Sequence, residues 1–112
     1  MEPNILLIGR NLDSLEILKE ELVKFDRNIR IANSDEMILK AIEEGALDIA
    51  ILGAGLTDET MASMVDFIKL KSAQVEVEVM KKEPGMNPTH MIGFTNEKAV
   101  MWKLIHARKA PK

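Results

Sequence analysis

The feature that most constrains the fold is an alternation of short apolar runs with longer segments whose apolar residues recur at helical spacing. The apolar runs occupy residues 4–9, 28–32 and 48–52. A residue suited to capping a helix follows each run: Asn11, Ser34 and Thr57. This alternation predicts a βαβαβα arrangement with a parallel sheet and right-handed crossovers.

The size and composition are those of one small globular domain. The chain has 112 residues, of which 46% are hydrophobic and 29% charged, so we expect a single domain over residues 1–112. It contains no cysteine, which excludes disulfides and thiolate zinc sites and favours the cytoplasm. No apolar run approaches the roughly 18 residues of a membrane helix. The net charge of −3 comes without a basic stripe, so neither a nucleic-acid nor a membrane partner is expected.

The pattern changes after residue 73. Three valines alternate with two glutamates over residues 75–79, whereas a central strand of such a sheet is apolar on both faces. Two interpretations stay open. The connection after this fourth strand is a loop that leaves one face uncovered, or residues 75–80 form an antiparallel edge strand that binds a partner. Two prolines and a glycine in residues 81–89 predict that loop.

The C-terminal part is predicted to contain a short fifth strand and a last helix. Residues 90–94 form the strand, and Thr95 caps the helix. Its predicted buried face consists of Val100, Met101, Leu104 and Ile105. Trp102 lies beside that face, either as an aromatic anchor for a partner or as part of the core.

Several local patterns together resemble one known family. The first strand leads directly into residues 11–18, and a helix ending in Gly45 is followed by Asp48 at the start of the third strand. Over most of residues 4–80 the chain resembles the receiver domain of two-component response regulators. The resemblance implies an α/β, flavodoxin-like three-layer sandwich with a parallel sheet of about five strands in the order 2-1-3-4-5. The helix after strand four is predicted to be missing here.

The residues that receivers use for phosphorylation have no counterparts in this chain. Gly9 and Arg10 stand where receivers hold Mg²⁺ with an acidic pair, and Gly53 stands at the phosphate-accepting aspartate. Met80 or Lys81 stands where a threonine or serine normally ends strand four, and residues 93–95 contain no lysine. We therefore expect no phosphorylation, no enzymatic activity and no metal or other cofactor. The predicted degenerate pocket comprises Gly9, Arg10, Gly53, Gly55 and Met80.

The same positions allow a ligand-binding alternative. Arg10 either imitates one fixed signalling state with its positive charge, or simply points to solvent. The glycine-containing loop after the third strand could help Arg10 hold a small anionic ligand or nucleotide. However, it lacks the dinucleotide and phosphate-loop fingerprints, and Asp58 and Glu59 follow it directly, which favours a tight turn without a ligand.

The leading functional hypothesis is a receiver-like signalling or scaffolding domain that acts through protein–protein contacts. Its partner is another protein or a second copy of itself, in a homodimer. The contact region is expected to include strand four, the loop over residues 81–89 and the last helix. The predicted interaction residues are Val75, Val77, Val79, Met86, Met91 and Trp102.

Overall fold

The computed structural model describes residues 2–53, 55–81 and 89–109. For residues 108 and 109 it describes the backbone only. The elements are β1 (Asn4–Ile8), α1 (Leu12–Val23), β2 (Asn28–Ala32), α2 (Asp35–Glu43), β3 (Ile49–Leu52), α3 (Asp58–Lys71), β4 (Glu76–Val79) and α4 (Thr89–Lys109). The three predicted capping residues begin α1, α2 and α3, because each side chain accepts a backbone N–H from the first turn of its helix. Gly45 follows α2 with φ of +84°, a conformation that suits glycine.

The four described strands form one parallel sheet in the order β2-β1-β3-β4. The prediction of a parallel α/β sheet with this strand order is therefore confirmed for the first four strands. Ile5 of β1 lies between Ile29 of β2 and Ile49 of β3, so β1 is paired on both sides, as is β3 between β1 and β4.

Helices cover the two faces of this sheet and make the predicted three-layer sandwich. Helices α1 and α4 cover one face, which buries Ile5, Leu7, Ile49 and Ile51. Helices α2 and α3 cover the other face, which buries Leu6, Ile8, Ala50 and Leu52. Complete burial of each large aliphatic side chain contributes about 1.5–3 kcal/mol, which explains why β1 from Ile5 onward and all of β3 are apolar.

The predicted fifth strand is wrong, because residues 90–94 form the beginning of α4. Thr95 is accordingly not a cap but a completely buried residue inside that helix. The physical reason lies in the spacing of Met91, Thr95, Ala99 and Trp102, which face the core together only if the helix starts at residue 89. A five-residue apolar segment does not distinguish a strand from one helical turn by itself.

The predicted orientation of the last helix is also reversed. Trp102 is only 7% exposed, and the His106 ring stacks on it at a centroid distance of 3.9 Å. The four residues that were expected to be buried are instead between 41% and 58% exposed. We call them the outer stripe: Val100, Met101, Leu104 and Ile105. The sequence is apolar on both sides of this helix, so spacing alone does not indicate which side the sheet takes.

Strand β4 lies at the edge of the described sheet and runs parallel to β3, so the antiparallel interpretation is wrong. Its register pairs Glu76 with Ile49 and Glu78 with Ile51, which places both glutamates on the α1 and α4 side. That side is partly covered, since Nζ of Lys98 on α4 lies 3.4 Å from Oε1 of Glu78. The valines face the α3 side instead.

A cluster of charges ties the N-terminal segment to α4. The Glu2 carboxylate accepts hydrogen bonds from Lys103 of α4 and, at 2.6 Å, from Arg27. Arg27 also donates to Oδ1 of Asn96 at 2.9 Å. The hydrogen bond from Lys103 and that from Arg27 hold the pKa of Glu2 below its ordinary value of 4.5, although burial acts in the opposite direction. We call this group the N-terminal clasp.

Candidate functional site

The carboxyl ends of the two central strands bring the predicted pocket residues to one edge of the sheet. The backbone N–H of Gly53 donates to the carbonyl of Ile8 at 2.7 Å, and that of Gly9 donates to the carbonyl of Ala32 at 3.2 Å. Both glycines are buried, whereas Arg10 and Gly55 are exposed. Gly9 and Gly53 therefore continue the backbone hydrogen bonding of the sheet, and Arg10 and Gly55 lie on the surface beyond it.

Side chains of the core occupy the space next to both buried glycines. A Cβ atom at Gly9 would lie 3.1 Å from Cδ2 of Leu15. A Cβ atom at Gly53 would lie 3.3 Å from Sδ of Met91 and 3.4 Å from the Ile8 carbonyl oxygen. Met80 is buried in the same core cluster as Met91. We call Met80 and Met91 the thioether plug, because they make this end of the sheet apolar.

Among the described residues, the acidic side chains near this edge stand in the first turns of helices and form no metal-binding group. Asp13 and Asp58 are exposed in the first turns of α1 and α3. Asp48 lies at the opposite end of the sheet, where its Oδ2 accepts the Asn4 N–H at 2.8 Å. Among the described residues, no group of three or more histidines, aspartates or glutamates could hold a metal ion. This edge thus offers no ligand set of the kind Mg²⁺ prefers.

The residues predicted for an interaction surface differ in their exposure. Val75, Met91 and Trp102 are buried, Val77 is half-buried, and Val79 is 37% exposed. Met86 lies outside the described residues. The exposed apolar surface of β4 and α4 therefore comes from Val79, which faces the α3 side, and from the outer stripe, which the sequence interpretation had placed in the core.

The backbone of β4 is open on its outer side in the described part of the chain. The N–H groups of Glu76 and Met80 donate to Asp48 and Leu52, each at 2.9 Å. Because backbone groups alternate in direction along a strand, those of Val77 and Val79 point away from β3. A groove of about 320 Å³ runs between α3 and this strand, and its lining includes Met61, Val65 and Val79 with Asp58 and Asp66.

Comparison with known proteins identifies the architecture. One similar structure is a co-crystal of the receiver domain of the Saccharomyces cerevisiae response regulator Ssk1 with the histidine phosphotransfer signalling protein Ypd1. The match has a TM-score of 0.50 and 18% sequence identity, and it covers 75% of this chain and 67% of the other. The chain has a receiver-like fold.

The similarity is one of structure rather than of sequence. No protein-family model matches the chain, and no curated protein matches its sequence. Within the described parts of the chain, no helix has the length and apolar character needed to cross a membrane. The flavodoxin-like architecture predicted from the sequence is thus confirmed, with one strand fewer among the described residues than expected.

Proposed function

We propose that this chain is a receiver-like signalling or scaffolding domain that is not phosphorylated and acts through protein–protein contacts, without catalysing a reaction. The observation that carries the proposal is the environment of Gly53. The position at which a receiver has its phosphate-accepting aspartate is here a buried glycine, 3.3 Å from the Met91 thioether when a Cβ is added. A glycine has no oxygen to accept a phosphoryl group, and a thioether is a poor neighbour for a dianion.

The electrostatics of the neighbouring strand support the same conclusion. Gly9 and Arg10 provide no carboxylate at the position of the acidic pair, and the exposed Arg10 has no ion-pair partner among the described residues. A permanent positive charge there opposes the binding of a divalent cation. We regard Gly9, Arg10, Gly53, Gly55 and Met80 as the remnant of a phosphorylation pocket.

We propose that the chain binds another protein in the cytoplasm. The similar receiver domain was crystallised with a phosphotransfer protein, which supports protein contacts as the activity of this fold. The exposed apolar residues of β4 and of α4 support protein contacts at these two elements, including a homodimer. The ligand-binding alternative rests on the exposed Arg10, but the thioether plug occupies the space next to Gly53.

Treatment with acetyl phosphate or beryllofluoride in the presence of Mg²⁺ tests this proposal. We expect no adduct by intact mass and no change in the amide chemical shifts of Gly9, Arg10 and Gly53. A phosphorylatable receiver treated in parallel serves as the positive control. A specific adduct on this chain, or Mg²⁺-dependent shifts at those three residues, would overturn the proposal.

Thermal unfolding with small anions and nucleotides tests the alternative. A ligand that binds only the folded state raises the melting temperature, and the increase keeps growing with the logarithm of the ligand concentration above the Kd. An increase that disappears in Arg10→Ala would favour ligand binding at this crevice, whereas no increase supports the protein-contact proposal.

A further inference from the structure

Strand β4 presents unpaired backbone groups on its outer side. Among the described strands it has a neighbour on one side only, β3. The N–H groups of Glu76 and Met80 are used toward β3, so the N–H and C=O groups of Val77 and Val79 point outward. An edge of this kind is a template on which a further strand can pair.

The groove between α3 and β4 lies beside this edge, on the face that the valines of β4 take. Its volume is about 320 Å³, and its apolar lining includes Met61, Val65 and Val79. Side chains of a strand alternate between the two faces of a sheet, so every second residue of an added strand would point toward this groove. Outward backbone groups together with a space for alternate side chains are the two requirements of strand addition.

The groove carries negative charge at its rim. Asp58 and Asp66 line it and are exposed, and neither forms an ion pair with a described residue. No lysine or arginine belongs to its described lining. Basic residues that flank the apolar residues of a bound segment would therefore be attracted to this rim.

The opposite face of β4 is acidic as well. Glu76 is exposed and has no ion-pair partner among the described residues, whereas Oε1 of Glu78 lies 3.4 Å from Nζ of Lys98. Residues of opposite charge that lie opposite each other on paired strands stabilise a sheet. The complement of the alternating valines and glutamates of β4 is thus a strand in which apolar and basic residues alternate.

We propose that β4 binds an extended segment of another protein, in which apolar and basic residues alternate, as an additional strand of the sheet. The apolar side chains of the segment occupy the groove at Met61 and Val65, and its lysines or arginines lie on the opposite face near Glu76. This inference rests on the proposed function, in which the domain works through protein contacts. It specifies the chemistry of the partner and the way in which it binds.

A second copy of this chain is a poor occupant of the edge. Pairing of two β4 strands would bring Glu76 and Glu78 of both copies together, and like charges across strands are destabilising. An acidic partner is disfavoured for the same reason. Charge therefore selects a basic segment of a different protein.

Titration of the full chain with an acetylated, amidated heptapeptide of alternating lysine and valine tests the site by amide chemical shifts and hydrogen exchange. We expect saturable shifts centred on Val77 and Val79, whose N–H groups should exchange at least about tenfold more slowly with saturating peptide. The N–H of Glu78 faces β3 and is the internal control, since it is protected in both states. No saturable shift up to about 1 mM peptide, shifts centred elsewhere, or equal binding of a peptide with glutamate in place of lysine would overturn the inference.

Proline at position 77 tests the role of the outward backbone. Val77→Pro removes an N–H that faces away from β3, a position at which edge strands tolerate proline. The affinity for the peptide should fall at least about tenfold, because a hydrogen bond is lost and the proline ring obstructs the edge. Val77→Ala is the matched control, since it shortens the side chain and keeps the N–H, and it should change the affinity less than about threefold. Equal effects of the two variants would refute backbone pairing.

Two charge reversals separate the groove from the overall charge of the chain, and they test the site independently of Val77→Pro. Asp66→Lys changes a residue of the groove, and Glu16→Lys makes the same change of charge at an exposed position on α1. Asp66→Lys should weaken peptide binding about three- to tenfold at low salt, and Glu16→Lys less than about twofold. Equal weakening would indicate attraction to an acidic protein in general and would refute the site.

The two proposals fail separately. A chain that forms no adduct with acetyl phosphate and does not bind the peptide refutes the β4 site and leaves the proposed function intact. A chain that binds the peptide at β4 and forms an adduct refutes the absence of phosphorylation instead.

Discussion

Replacing Gly53 with aspartate restores the residue type that receivers phosphorylate and places it against the thioether plug. Its Cβ would lie 3.3 Å from Sδ of Met91 and 3.4 Å from the Ile8 carbonyl oxygen, so the neighbours must shift. Overpacking of this kind costs about 1–3 kcal/mol. The buried carboxylate adds a desolvation cost of comparable size, because the surrounding side chains are apolar. We therefore expect Gly53→Asp to lose about 4 kcal/mol at pH 8.

Gly53→Asn separates the two contributions, since asparagine has nearly the same shape without the charge. It should lose less than Gly53→Asp, because it adds overpacking and the burial of a neutral amide but not the burial of a charge. Burial raises the pKa of the new aspartate above its unfolded value of about 3.9. The charge-dependent loss is therefore smallest below that value and grows as the pH rises through the folded pKa. Urea unfolding, followed by fluorescence of Trp102, the only tryptophan, measures both variants at pH 4.5 and pH 8.

Equal stability of the two variants at pH 8 would refute this reasoning. That result would mean that a nearby cation neutralises the buried carboxylate. Arg10 is the candidate, because it follows β1, the strand with which Gly53 pairs. We also expect Gly53→Asp to form no phosphoryl adduct, because Gly9 and Arg10 still provide no Mg²⁺ ligands.

Three further predictions concern α4 and its attachment. Trp102, at 7% exposure, should resist fluorescence quenching by iodide, and quenching comparable to that of free tryptophan would contradict its burial. Thr95→Val should stabilise the chain by about 1 kcal/mol in urea unfolding, because Oγ1 of Thr95 is buried and has no hydrogen-bond partner among the described residues. Glu2→Gln should cost about 1 kcal/mol at pH 7 through loss of the N-terminal clasp. Because the pKa of Glu2 is lowered in the folded state, the stabilisation exists above its unfolded value of 4.5 and is lost as the pH falls through the folded pKa, so the two proteins should converge at acidic pH below that pKa.

The first three βα units could be predicted from the sequence because their local signals agree with one another. Asn11, Ser34 and Thr57 cap helices in both the prediction and the structure, and β1 and β3 are apolar on both faces because helices cover both sides. The glycines at positions 9 and 53 were also placed correctly at the carboxyl ends of the central strands. Periodicity and capping residues determine local structure, and in these segments both favour the same helices and strands.

The C-terminal part could not be predicted in the same way because its pattern is ambiguous. Helix α4 carries apolar residues on both sides, so helical spacing is consistent with either orientation toward the sheet. Contacts with residues far away in sequence select the side of α4 that is buried. Met91 fills the space next to Gly53, and Lys103 donates a hydrogen bond to the Glu2 carboxylate. A signal was present in the continuous spacing of Met91, Thr95, Ala99 and Trp102, which crosses the predicted strand without interruption.

The N-terminal clasp has a consequence for the order in which the chain assembles. It joins Glu2 to a residue 101 positions away, whereas β1, α1 and β2 pack between neighbours in sequence. Because long-range contacts form last when loop closure is costly, we expect α4 to dock after the sheet has formed. During synthesis, the face that includes Ile5 and Leu7 then stays without its second helix until residue 109 has left the ribosome. That interval exposes an aggregation-prone surface to chaperones, and a ribosome-bound chain that stops before α4 should bind them more strongly than the full-length chain.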